Sequence, residues 1–220
     1  MAGRGPVRGL MAVRAAVLAT LAGPLVVLVA VLLVASGLIP VDIGLDLLAL
    51  KVGPGLSVLA VVVALIALPA AFRSFARLGL IALATLVVAV GGAGAFLWRV
   101  QAMAAVGPLD VTTDTADPPR VAGTAGPGTA CPGVSAPMTQ SAEGAAGWAM
   151  QQAGFRITDA SLFQIRGERT GTFFGLRHEA VIRIRPGRTD VRVVARYDRA
   201  DGGETCRLAG ALVAALQAGR

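Results

Sequence analysis

The stretch Ala180-Val-Ile-Arg-Ile-Arg-Pro-Gly-Arg-Thr-Asp-Val-Arg-Val-Val-Ala-Arg-Tyr197 decides the fold of the C-terminal half. Ala180, Ile182 and Ile184 alternate with Val181, Arg183 and Arg185. After Pro186-Gly187-Arg188-Thr189, Val191, Val193, Ala195 and Tyr197 alternate with Arg192, Val194 and Arg196. Successive strand side chains point to opposite faces, so this pattern predicts a β-hairpin with one apolar and one arginine-bearing face. If the turn occupies 186–189, Ile184 meets Val191 and Ile182 meets Val193. Arg183 is then expected opposite Arg192, Arg185 opposite Asp190, and Arg196 opposite Glu179.

Upstream of the hairpin, alternation predicts strands near 155–159 and 162–169, with a turn over Gly171–Gly175. Thr139-Gln-Ser-Ala-Glu143 reads as a helix start and Gly154 as its stop. Downstream, Leu208, Leu212 and Leu216 give a final helix over 204–217 one apolar side. The order is α-β-β-β-β-α: a small α+β domain over 139–220, a four-stranded antiparallel sheet with two helices on one face. Residues 99–138 contain Asp117-Pro118-Pro119 and Gly126-Pro127-Gly128, and predict a linker or an extended wrap along the domain.

The N-terminal half has a different chemistry. Of 220 residues, 55% are hydrophobic and only 15% charged, more apolar than one soluble domain of this length. Three charge-free runs, 15–39, 52–72 and 78–98, are each long enough to cross the roughly 30 Å hydrocarbon layer. Arg4, Arg8 and Arg14 precede the first run, and Arg73 and Arg77 separate the last two. The Gly37–Lys51 loop carries one lysine against two aspartates. Basic loops stay cytoplasmic, so the N-terminus is expected inside and everything beyond Trp98 outside. A cleaved signal peptide is the rival reading of the first run, but its apolar core exceeds the usual length. The Leu45–Leu50 segment reads equally as a short interfacial helix or a loop.

Net charge is +7, but more than half of it sits in short loops beside the apolar runs, which disfavours nucleic-acid binding. Two cysteines and one histidine exclude a zinc cluster, an iron–sulfur site or a multi-histidine metal centre built from this chain, and no motif calls for a cofactor or a metal. Gly91-Gly92-Ala-Gly94 lies within an apolar run, not between a strand and a helix. His178 adjoins Glu179, yet neighbours on a strand point apart, so they cannot form a dyad. No Gly-x-Ser-x-Gly elbow is present. No catalytic residue is assigned. Arg183, Arg192 and Arg196 on the charged hairpin face, with Asp201, are the candidate anion- or partner-facing residues; a solvated face neutralised by Glu168, Glu179 and Asp190 is the alternative. Cys131 and Cys206 either form a disulfide or stay as two buried thiols.

Asp110-Val-Thr-Thr-Asp-Thr-Ala-Asp-Pro-Pro119, the Phe173-Phe174-Gly175 turn before Glu179–Arg185, and Asp190–Arg196 followed by Asp201 resemble the family catalogued as domain of unknown function 1499 over about 107–217. The resemblance is to its bacterial branch, in which membrane spans precede the domain. Where that family carries an acid pair after the turn and an Asn before the last helix, this chain has His178-Glu179 and Ala200–Thr205. The resemblance implies a domain and a place, not an activity. The expectation is a multi-pass bacterial inner-membrane protein presenting a periplasmic domain that binds an envelope protein or an anionic membrane lipid without catalysis. An envelope hydrolase and an accessory subunit of a transport complex are the alternatives, and oligomeric state is left open.

Overall fold

The structure is a computed structural model that describes residues 5–74, 76–124 and 126–219. Arg4 of the basic leader and Phe75 between Arg73 and Arg77 lie outside the described residues. The chain forms two compact units, Met1–Gln101 and Ala102–Arg220.

The first unit holds helices α1 (Gly5–Ala35), α2 (Gly53–Ser74) and α3 (Ala76–Ala104). Three helical stretches, Gly9–Ala35, Asp42–Arg73 and Arg77–Ala104, are long and apolar enough to cross a bilayer, and the chain is a membrane protein. Helix α1 ends at Ala35, before the expected 39, because Gly37 adopts a left-handed conformation with φ of +73°. Val13 packs with Ala71, Ala16 with Ala64 and Ala67, and Gly23 faces Ser57, so α1 and α2 run antiparallel. Their seam is built from small residues: Ala16, Gly23 and Ala30 recur every seventh position, with Ala16 packed on Ala64 and Ala67, Gly23 on Ser57, and Ala30 beside Gly44. A Cβ on Gly23 would stand 2.3 Å from Ser57 Oγ, so the two backbones approach as closely as glycine allows. Leu18, Leu21, Leu25, Leu28 and Leu32 point outward, as a lipid-facing surface requires. Thr20 and Ser57 donate to the carbonyls of Ala16 and Gly53, so neither hydroxyl needs water.

The Leu45–Leu50 segment is neither a separate interfacial helix nor a loop. Asp42–Val52 is π-helical and continues directly into α2. Leu45 and Ala49 are buried, and Gly44 is pressed so closely on Val34 of α1 that a Cβ would lie 2.2 Å from its methyl. Lacking a side chain at Gly44, this segment packs on the end of α1.

The second unit contains β1 (Asp110–Thr112), α4 (Glu143–Gln152), β2 (Arg156–Ser161), β3 (Gln164–Thr170), β4 (Arg177–Arg185), β5 (Arg188–Ala195) and α5 (Glu204–Ala218). The sheet is antiparallel in the order β1-β5-β4-β3-β2, with α4 and α5 packed on one face. Met150, Ile165, Ile182, Val191, Val193, Leu208, Leu212 and Leu216 form the core between them. The sheet has five strands where four were expected. The extra one, β1, comes from the presumed linker: Val111 is fully buried, while Thr129 bridges to it on its outer side. Leu162 and Phe163, expected inside a strand, form the exposed β2–β3 turn. Helix α4 starts at Glu143 rather than Thr139 because the Ser141 hydroxyl is engaged by Thr189 Oγ1 instead of capping the helix.

The hairpin register also differs. Its loop is only Pro186-Gly187, with Gly187 at φ +71°, so Arg185 pairs with Arg188, Arg183 with Asp190, Ile182 with Val191 and Val181 with Arg192. Pro fits the first turn position and Gly the second, which returns Arg188 and Thr189 to the strand. A slip of two residues keeps every side chain on its expected face but changes every cross-strand partner.

Candidate functional site

The sheet face away from the helices is where the arginines lie. On it, Val181 and Val194 are 2% and 3% exposed although no helix covers them, because Val121 is seated on both. Residues 113–124 and 126–128 cross this face as a strap, and the arginines fasten it. Arg192, 3% exposed, donates through Nε and Nη2 to the two Asp110 oxygens at 2.9 and 2.6 Å. It also donates to the carbonyls of Pro119 and Gly126 at 3.0 and 2.7 Å. Arg196 pairs with Glu179 at 2.5 Å and donates to the Ala122 carbonyl.

Toward the Pro186 end, Arg183, Arg185 and Arg188 interleave with Asp114, Asp117 and Asp190. Arg183 contacts Asp190 and Asp117, each at 3.0 Å. Arg185 contacts Asp114 at 2.7 Å and Asp190 at 2.6 Å, and Arg188 contacts Asp190 at 2.6 Å. Asp190 is fully buried and is compensated by three guanidiniums. The Asp117 amide donates to the Asp114 carboxylate and, with Arg185, holds it below the ordinary range against its own burial. Among the described residues no His, Cys, Asp and Glu set converges as a metal site, and this acidic trio is neutralised from within.

Three of the four singled-out residues, Arg183, Arg192 and Arg196, therefore share one face and point at the chain's own acids and carbonyls. Arg183 meets Asp190 rather than Arg192, which removes the like-charge pair the expected register implied. Asp201 is elsewhere: it accepts from the amides of Gly203 and Thr205 at 2.8 Å and from Thr205 Oγ1 at 2.6 Å, capping α5. Cys131 and Cys206 are joined, with Cα atoms 5.8 Å apart, fixing the chain after the strap to α5. His178 is 4% exposed, its Nε2 lies 2.8 Å from the Tyr197 hydroxyl, and burial pushes its pKa down. Glu179 points to the other face, toward Arg196. Nothing in this geometry gives His178 access to a substrate.

Between the strap and β3 lies an open cleft of about 540 Å³, whose wall includes Arg120, Thr124 and Arg166. A smaller cleft of about 230 Å³ shares Val121, Ala122 and Arg166 with it and adds Thr158 and Glu179. Arg120 and Arg166 differ from the other cations of this face. Among the described residues neither has a carboxylate within ion-pair distance, and the Arg166 guanidinium lies 2.9 Å from the side-chain amide of Gln164. Sequence reasoning missed both, since nothing in the spacing distinguishes a cation that holds the strap from one left over.

Residues 110–216 match the family model described as "Protein of unknown function (DUF1499)". No curated protein and no solved structure matches the chain. The matched region begins at β1, takes in the strap and its arginine clamps, and ends within α5. The second unit of this membrane protein is thus similar to that family of unknown function over residues 110–216.

Proposed function

We propose that this protein is a non-catalytic, membrane-anchored binding module whose open sheet-face cleft receives an anionic group, a carboxylate or phosphate, presented by an envelope protein or lipid. One observation carries the reading: Arg120 and Arg166 line a cleft of about 540 Å³ without acid partners, while the neighbouring arginines are neutralised internally. Guanidiniums suit a planar or tetrahedral oxyanion, and the one carboxylate in the cleft wall, Asp117, is already paired with Arg183 and Arg185. The bacterial inner-membrane placement rests on loop charge, with Arg73 and Arg77 cytoplasmic and the domain periplasmic. The Cys131–Cys206 bond suits an oxidising compartment.

The test is calorimetric titration of the full chain in nanodiscs with inorganic phosphate and with a dicarboxylate, alongside Arg120→Ala/Arg166→Ala. The reading expects heat of binding in the parent and its loss in the double variant. Equal titration curves for parent and variant would sink it. A reporter fused after Tyr197 tests the placement: export-dependent activity is expected, and activity confined to the cytoplasm contradicts it.

A further inference from the structure

The two ends of the sheet differ. At one end lie the Pro186-Gly187 and Leu162-Phe163 turns; at the other lies the β3–β4 loop, Gly171–Leu176. The chain from α3 arrives at this second end: the Leu109 carbonyl accepts from Ala195 N at 2.7 Å, and the Ala105 carbonyl from Gly202 N at 3.2 Å. Two apolar side chains are exposed there without cover, Phe173 at 69% and Val106 at 92%. Arg156 and Arg177 flank the aromatic loop and share one carboxylate, Glu168, at 3.7 and 3.1 Å, which leaves one cation in surplus. At the far end Arg183, Arg185 and Arg188 are matched by three aspartates.

We infer that the Phe173 loop is a membrane-docking tip, inserting its aromatic ring into the interface of the bilayer that anchors the chain, with Arg177 and Arg156 over anionic headgroups. The occupant follows from the tether. Five residues separate Ala104, the end of an apolar membrane-length helix, from Asp110, and such a segment reaches no more than about 20 Å when extended. The tether therefore joins the apolar helix to this sheet end and not to the Pro186 end. Phenylalanine beside arginine is the composition that the headgroup region accepts. Leu162 and Phe163, equally exposed at 70% and 67%, sit at the opposite end of the strands and lack this constraint.

The experiment uses the full chain in vesicles of phosphatidylethanolamine and phosphatidylglycerol, with and without bromine on the acyl chains. Emission added by Phe173→Trp, over the parent's Trp98 and Trp148, is expected to shift to the blue and to be lost in the brominated vesicles. Emission added by Phe163→Trp is expected to persist. Phe173 is exposed, so its replacement leaves the core intact. Adding Arg177→Gln to Phe173→Trp is expected to lower the docked-to-free ratio roughly fivefold, as one surface cation does. Equal quenching at both ends, or none at Phe173→Trp, overturns the inference.

Discussion

Replacing Arg192 with Met tests whether the arginine face exists to hold the strap. The side chain is 3% exposed and supplies both ends of the bidentate pair with Asp110, as well as the donors for the Pro119 and Gly126 carbonyls. Methionine of similar length leaves Asp110 without its counter-ion and two strap carbonyls without donors. Breaking a buried pair from one side costs about 3 to 5 kcal/mol; because the Asp110 side chain keeps 25% exposure, the expected cost is the lower figure. With a urea slope of about 2 kcal/mol per molar, the unfolding midpoint falls by about 1.5 M. Trp148 on α4 reports the transition in a Trp98→Phe background. The double variant Arg192→Met/Asp110→Leu should recover more than half of the loss, since removing both charges leaves none buried alone. A single-variant shift under about 0.3 M, on the same slope, would refute the view that this guanidinium fastens the strap. If instead stability holds and anion binding disappears, Arg192 belongs to the cleft rather than to the clamp.

Three further outcomes follow from other parts of the molecule. Burial holds the His178 imidazole below its ordinary 6.5, so the folded state binds fewer protons than the unfolded one in the window just under that value. Stability should fall as pH drops through that window and be flat above it, and urea midpoints for His178→Gln should lose this slope. Reducing the Cys131–Cys206 bond, which closes a separation of 75 residues, should cost at most about 4.5 kcal/mol by loop entropy, seen as a lowered midpoint with dithiothreitol that Cys206→Ser reproduces. Gly23→Leu should split the α1–α2 hairpin, because even a Cβ meets Ser57 Oγ at 2.3 Å, and a lowered aggregation temperature in detergent is the readout; an unchanged temperature would mean that the seam is loose.

Local periodicity carries much of this fold in the sequence. Three charge-free runs mark the membrane helices, and the alternation of Ile182 and Ile184 with Arg183 and Arg185, and of Val191 and Val193 with Arg192, assigns each side chain to its face. What alternation leaves open is register, because a two-residue slip preserves every face. The length of the Pro186-Gly187 turn settled it, and with it the identity of Arg183's partner. Strand β1 escaped notice because three residues of alternation, Asp110–Thr112, are too few to stand out among Gly, Pro and Thr. The arginine partners were illegible for a different reason. Asp110, Asp114 and Asp117 lie 66 to 82 positions from the guanidiniums they bind, in a segment whose composition reads as a linker. The aspartates of the string that carries the family resemblance are the other half of the charged hairpin face.

The strap has a mechanical character that its ion pairs alone do not convey. It is secured before its first residue by β1 in the ladder and after its last by Cys131 bonded to Cys206. Lifting it from the sheet therefore produces a closed bow rather than a free tail. Its ends stay in place, and the search for the seat above Val181 and Val194 is confined to a short loop. Re-seating such a segment is an intramolecular step, so its rate does not depend on protein concentration. The valines beneath it are therefore covered by a segment that cannot leave the domain while the Cys131–Cys206 bond is intact.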